Sequence, residues 1–316
     1  MESKSNFRIL SNEIISKPSS LISNISSPST SLIPRSLQKS AKRLTISSLE
    51  SGNGKQQMKS KLAQVQRALR FCRDYNIVKY YQFMDIPPEE YRELRTHCSK
   101  DVLETAADIN YQEYYYEEVN NRLQVFLSYG DGSWGEEEEE IVMLFKHNNV
   151  DISKFCEALY SIFTMSDYRK NCIFLNGNIK TGKTLMMRLI TGNFKCVGKG
   201  CNNGVNSEFY YQKFIGRSIC VLEEPFLDPQ TLEDFKSIFG GEGFDISCKF
   251  HNPQTLNRTP FIITSNFSLL SRGHAPSISE MAIKDRFYIF NFNNSYTPKC
   301  KLSPKNFVNV YNKYYG

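Results

Sequence analysis

Apolar and polar positions divide the chain into three stretches. Up to about residue 57 no period holds: Ser dominates, Pro is scattered and aromatics are few, which predicts a disordered tail. From about Met58 to Tyr129 the spacing turns helical. Leu62, Val65, Leu69 and Cys72 recur every three or four residues, one stripe of an amphipathic helix. Ile86-Pro-Pro-Glu-Glu predicts the start of a second helix with prolines in its first turn. Residues 100–128 predict one or two more, closed by Tyr129-Gly-Asp-Gly-Ser. Glu136–Glu140 reads as the solvated first turn of a further helix, where the dipole favours acids.

From about residue 141 short apolar runs alternate with helical ones. Cys172–Leu175 is wholly apolar, as a strand buried on both faces is, and Leu185–Ile190 follows as helix with Gly192 as its stop. Arg217–Glu224 is an apolar strand that ends in two acids. Leu232–Phe239 reads as helix and halts at Gly240-Gly241. Gly243–Lys249 predicts one arm of a hairpin with His251-Asn-Pro at its tip. Thr259–Asn266 is a third buried strand with a polar end, and Phe287–Phe292 a fourth. Ser303-Pro304 caps a terminal helix that carries Phe307, Val310 and Tyr314. The alternation predicts an α/β sandwich around a parallel sheet over 141–316, preceded by a small helical region at 58–140 and the tail at 1–57.

Composition narrows the class. In 316 residues no apolar run approaches the roughly eighteen that span a bilayer, and the N-terminus lacks a signal-peptide core. A soluble protein outside the usual secretory route is expected, with no membrane partner. Nine cysteines without paired spacing predict reduced intracellular thiols. Cys196 and Cys201 have no companion pair or His, so a structural or incidental role is expected rather than zinc. The net charge of +6 is accounted for by residues 1–60, which carry nine Lys or Arg against three acids. A uniformly basic nucleic-acid-binding body is excluded, and any such contact in the folded part must be local. Lys39, Lys42 and Arg43 read either as a nuclear address or as a solvated charge cluster.

The chemistry centres on Gly177 to Thr184, Gly-Asn-Ile-Lys-Thr-Gly-Lys-Thr, which fits G-x-x-x-x-G-K-[ST] between a predicted strand and a predicted helix. Gly177 and Gly182 let the backbone of Asn178, Ile179, Lys180 and Thr181 turn its N–H groups inward, an anion nest at a helix N-terminus. Lys183 would neutralise the β- and γ-phosphates of a nucleotide, and the Thr184 hydroxyl would hold Mg²⁺. At the next strand end, Glu223 and Glu224 offer one carboxylate for Mg²⁺ and one to orient or deprotonate a water; the bland alternative is a pair of surface glutamates. Asn266 suits a γ-phosphate sensor and equally a strand-ending turn.

The order GNIKTGKT, ICVLEEP, GGEGFDISCKFHNPQTLNRTPFIITSN and AIKDRFYIF resembles the superfamily 3 helicases of small DNA viruses. It is most similar to the ATPase module of the large non-structural (Rep) proteins of parvoviruses and densoviruses. In that family a hairpin lysine precedes the sensor asparagine by seventeen residues, the spacing of Lys249 and Asn266. Asn148–Lys170, Asn206–Phe209 and Thr259-Pro260 are similar as well. The resemblance covers roughly 141–316, and the length suits a small replication protein of a bidensovirus-like virus. It implies an AAA+-like P-loop NTPase fold, with ATP and Mg²⁺ held by Gly177, Lys183 and Thr184, Walker B acids at Glu223 and Glu224, and the sensor at Asn266. Arg286 matches an arginine finger supplied to the neighbouring subunit, which implies the family's hexamer; without the resemblance it is a surface arginine before a strand. Lys249 and His251, with Phe250 between them, match a channel hairpin that grips single-stranded DNA. Relatives more often carry a second lysine where this chain has His251, and a mostly neutral imidazole weakens a phosphate contact.

The family's nickase domain needs a His-hydrophobic-His pair, whereas His97, His147, His251 and His274 are far apart and the region before residue 140 is helical. No nicking is expected from this chain. The implied activity is ATP-driven 3′-to-5′ unwinding in a host nucleus, alongside other viral replication proteins. Two rivals are a non-unwinding ATP-binding regulator of transcription or packaging, and a P-loop kinase.

Overall fold

The computed structural model describes residues 52–201, 210–225, 232–249, 252–267 and 277–316. The Ser-rich tail to residue 51 with Lys39, Lys42 and Arg43, the segment Asn206–Phe209, the tip residues Phe250 and His251, and His274 lie outside the described residues. Ser60–Gly316 forms one compact unit.

The first layer is helical: α1 (Gly52–Asp74), α2 (Pro88–His97), α3 (Lys100–Asn120) and α4 (Arg122–Leu127). α1 buries Ala68 and Cys72, with Val65, Leu69 and Phe71 packed alongside, against Phe83, Leu94, Leu103 and Ala106. Leu62, the first member of the predicted stripe, is exposed instead. α2 starts at Pro88, a position where the absent N–H has no helical partner to lose. Ser99 caps α3 by accepting from the Val102 N–H. The buried Asn110 side chain donates to the Cys72 and Ile77 carbonyls, satisfying groups at the end of α1.

The second part is the expected α/β sandwich. In chain order it comprises α5 (Glu136–His147), α6 (Ile152–Thr164), β1 (Cys172–Asn176), α7 (Lys183–Thr191), β2 (Val197–Cys201), β3 (Ile219–Glu223) and α8 (Leu232–Gly240). Then come β4 (Phe244–Ile246), β5 (Gln254–Leu256), β6 (Phe261–Ser265), α9 (Ser277–Lys284), β7 (Phe287–Asn291) and α10 (Pro304–Tyr315). Five strands form a sheet in the order β2-β3-β6-β1-β7, every described pairing parallel. Alternation along the strands builds two cores. Ile173, Leu175, Ile219, Val221 and Ile262 face α4–α7 and α10. Cys172, Phe174, Cys220, Leu222, Phe261 and Ile263 face α8 and the β4–β5 hairpin. Each fully buried aliphatic side chain contributes about 1.5–3 kcal/mol, which is why a run as apolar as Ile173–Leu175 is committed to the centre of the sheet.

Two local features depend on tertiary contacts. β2, Val-Gly-Lys-Gly-Cys, carries no strand pattern, yet a Cβ at Gly200 would overlap Leu222, so glycine is what lets this edge strand approach β3. Within α5, Glu138 and Glu140 are buried rather than solvated. Glu138 accepts from the Gly135 N–H (2.9 Å) and from the Asn306 and Asn309 amides of α10.

The two layers are stitched by one buried carboxylate. Glu118 of α3, 2% exposed, accepts from the Lys195 and Cys196 N–H groups and from the Ser218 hydroxyl. The Arg122 guanidinium, also buried, donates to the Ser218 carbonyl at 2.8 Å. Helical layer and strands β2 and β3 are thereby held at the strands' N-terminal ends.

Candidate nucleotide site

β1 ends at Asn176 and the chain turns at once. Gly177 has φ +139, and a Cβ there would overlap the Phe292 carbonyl, so no other residue fits. Gly182 has φ +93, and a Cβ would lie 2.6 Å from the Leu144 side chain. Between them the loop is pinned from outside. The Asn178 amide donates to the Asn293 carbonyl, the Lys180 carbonyl accepts from the Tyr296 N–H, and the Asn148 amide reaches the Thr181 carbonyl. α7 then starts at Lys183, so its first N–H groups point into the loop.

Lys183 is 6% exposed, and its ammonium donates to the Gly177 carbonyl (2.8 Å), the Asn178 carbonyl, the Thr181 hydroxyl (3.2 Å) and the Asn266 side-chain oxygen (3.1 Å). All four acceptors are neutral. Burial pulls the lysine's pKa below its ordinary value, and the nearby Glu224 carboxylate partly opposes that. The ammonium thus holds charge that its own partners do not compensate, beside a ring of backbone donors.

β3 and β6 deliver the remaining groups. Glu224, just past β3, has φ +49, an unusual backbone for a non-glycine. Its N–H donates to the Thr264 carbonyl, while its carboxylate accepts from the Asn266 N–H (2.9 Å) and the Ser265 hydroxyl (3.1 Å). The ends of β3 and β6 are locked together by this one side chain. Glu223 is exposed at the strand end.

A cleft of about 430 Å³ collects these residues: Ile179 to Leu185 from the loop and helix, Glu223 and Glu224 from β3, Thr264 and Asn266 from β6. It lies at the C-terminal ends of adjacent parallel strands, where open α/β sheets bind ligands. Thr184 and Glu223, oxygen donors within this cleft, are the side chains suited to a divalent cation. Tyr296, Thr297 and Pro298 close its remaining side and belong to no sequence motif. The Tyr296 hydroxyl donates to Glu140 at 2.7 Å, so the hydroxyl's pKa is pushed up by burial and by that carboxylate. The Lys299 N–H donates to the same carboxylate at 3.0 Å.

Arg286 and Lys249 are elsewhere. Phe287 pairs with Cys172 and Asn291 with Asn176, so Arg286 precedes β7 at the end of the sheet opposite the loop. The separation is five strand residues, roughly 16 Å of rise. The Arg286 guanidinium donates to the Lys236 carbonyl of α8 (2.8 Å) and the Ala282 carbonyl of α9. Lys249 follows β4 in the hairpin, where Phe244 pairs with Leu256 and Ile246 with Gln254; its N–H donates to the Gln212 side chain.

A model of the parvovirus non-structural protein NS1 family matches residues 49–314. The initiator protein NS1 of feline panleukopenia virus is 25% identical over 124 residues, 39% of this chain and 31% of that protein. The initiator protein NS1 of porcine parvovirus (strain Kresse) is 26% identical over 124 residues, 39% of this chain and 18% of that protein. The chain therefore spans under a third of the length of these curated relatives. Among solved structures, a JCV helicase with a bound thiazolopyridinyl acetamide aligns over 72% of this chain and 77% of its own, with 13% identity and a TM-score of 0.49. With the family match running over most of its length, the chain belongs to the parvovirus non-structural protein NS1 family.

Proposed function

We propose that this chain is an ATP-driven DNA helicase of viral replication that works as a homo-oligomeric ring, hydrolysing ATP between neighbouring copies. The convergence of Lys183, Thr184, Glu223, Glu224 and Asn266 on one cleft carries this reading. The backbone N–H groups from Asn178 to Thr184, with the Lys183 ammonium, cradle the β- and γ-phosphates. The Thr184 hydroxyl and the Glu223 carboxylate are the hard oxygens that would hold Mg²⁺, which would neutralise charge on the phosphate oxygens. Glu224 acts on the water. A carboxylate has about four acceptor positions, so bonds from Ser265 and Asn266 leave room to take a water's proton. The Asn266 side-chain oxygen is taken by Lys183, which leaves its amide N–H groups as donors to the γ-phosphate.

Arg286 completes the site of the adjoining copy, in a ring for which the family's hexamer is the expected size. Lys249, with Phe250 and His251 next to it in the sequence, grips the phosphates of single-stranded DNA. Unwinding of a forked duplex, with ATP against a non-hydrolysable analogue, tests the reading. Lys249→Ala should keep basal ATPase and lose unwinding. Equal loss of both would remove the hairpin from DNA contact. ATP-dependent assembly without any unwinding would favour a regulator of transcription or packaging.

A further inference from the structure

The lining of the cleft extends beyond the phosphate loop and the strand-end residues. Glu223, Glu224, Thr264 and Asn266 line it from the strand ends, and Lys180 to Thr184 from the phosphate loop and the start of α7. The rest of its lining is Leu185 on α7, the exposed Ile179, and Tyr296, Thr297 and Pro298. Most of that lining is carbon, with the Thr297 hydroxyl as an exception. The Tyr296 hydroxyl is already engaged by Glu140, and Leu185, Ile179 and Pro298 have no side-chain polar atom.

We infer that Tyr296, Thr297 and Pro298 form the wall on which the nucleoside half of the nucleotide rests, held in place by Glu140. This deepens the nucleotide reading of the same site and depends on it. The positioning chain is explicit. Glu140 in the first half of α5 binds the Tyr296 hydroxyl (2.7 Å) and the Lys299 N–H (3.0 Å), on either side of Thr297 and Pro298. The Tyr296 N–H in turn donates to the Lys180 carbonyl at 2.8 Å, setting the wall's distance from the phosphate loop. Glu140 touches neither phosphate nor base and is a positioning residue. The chemistry of the wall also fixes selectivity. Apolar contact cannot reject a base that differs only in its polar edge, whereas a side chain built to bond that edge would. The site therefore discriminates little between ATP and GTP.

The test compares dissociation constants for MgATP, MgGTP and magnesium tripolyphosphate, which has the phosphates without a nucleoside. They are measured by competition with a fluorescent ATP analogue on the full chain and on Glu140→Ala, Tyr296→Phe and Pro298→Gly. ATP and GTP are expected within about fivefold of each other on the unaltered chain. Glu140→Ala should weaken ATP roughly tenfold and leave tripolyphosphate unchanged, with a higher KM and an unaltered kcat, as loss of uniform binding requires. Tyr296→Phe removes one of the two bonds to the Glu140 carboxylate while keeping the ring, and should give a smaller loss in the same direction. Pro298→Gly acts on the wall directly, so the proposal stays testable if Glu140→Ala does not fold. Equal loss for ATP and tripolyphosphate, or no loss of ATP in any variant, overturns the wall. Failure of the unaltered chain to bind tripolyphosphate overturns the nucleotide reading itself.

Discussion

Lys183 and Glu224 are joined through Asn266: the ammonium holds the side-chain oxygen and the carboxylate holds the backbone N–H of the same residue. A substitution at any of the three therefore reaches the other two, and their effects should not add. Lys183→Ala removes the one buried ammonium of the loop. Hydrogen bonds to charged groups are worth about 1.5–3 kcal/mol each, so nucleotide affinity should fall roughly 100-fold in a direct binding assay. Retained affinity would take the loop out of nucleotide binding. The motif residues were legible because backbone conformation demands their types: Gly177 and Gly182 sit where a Cβ collides, and Lys183 opens a helix. Asn148, Glu140 and Tyr296 were not. Each acts on the site through a partner between 33 and 156 residues away, and no local spacing records such a contact.

Among the elements, strands with continuous apolar runs declared themselves, since burial on both faces leaves no place for a polar residue. β2 escaped because its glycines serve close approach to β3 rather than side-chain packing. The acidic run of α5 was legible as a helix start and misleading as to exposure: a neutral amide partner on α10 lies outside any local window. Those carboxylates give the fold a pH dependence. Burial raises the Glu138 pKa, but bonds from Asn306, Asn309 and Gly135 outweigh it, and the Tyr296 bond lowers that of Glu140. A folded pKa below the unfolded value, about 4.3, stabilises at pH above that value; the contribution is lost as pH falls through the folded one. Urea midpoints should accordingly drop below about pH 4.3, and Glu138→Gln should flatten that limb. A limb of unchanged slope in the variant would assign it to other groups. Glu118 offers a second test at this scale. Glu118→Ala would leave the Lys195 and Cys196 N–H groups without their acceptor, at about 1–3 kcal/mol each, while the Ser218 hydroxyl keeps the Cys196 carbonyl at 3.2 Å. Urea unfolding should show a loss of at least about 2 kcal/mol. A loss under 1 kcal/mol would mean that the layers do not depend on this stitch.

At the scale of the whole molecule, the parallel sheet has two unlike ends. The phosphate loop, Glu224 and Asn266 occupy the C-terminal ends of the strands, and Arg286 the opposite end, anchored on α8 and α9. No copy can bring its own Arg286 to its own loop without dismantling β7. A head-to-tail contact can, because it sets one end of a subunit against the other end of the next, and such contacts close into rings when the rotation permits. The family resemblance proposes the finger; the opposite ends of β1 and β7 mean that a finger at Arg286 could reach only a neighbour's loop. Arg286→Ala and Glu224→Gln subunits should each be nearly inactive alone. Mixed in equal amounts, they form interfaces at random, and one kind pairs an intact Glu224 cleft with an intact Arg286. About one quarter of interfaces, and of the original ATPase rate, should return if sites fire independently. A mixture no more active than the average of its parents would place Arg286 among the purely structural arginines, its bonds to Lys236 and Ala282 being then its whole role. Thermal unfolding of the Arg286→Ala chain separates that outcome from simple misfolding, since complementation requires both parents to be folded.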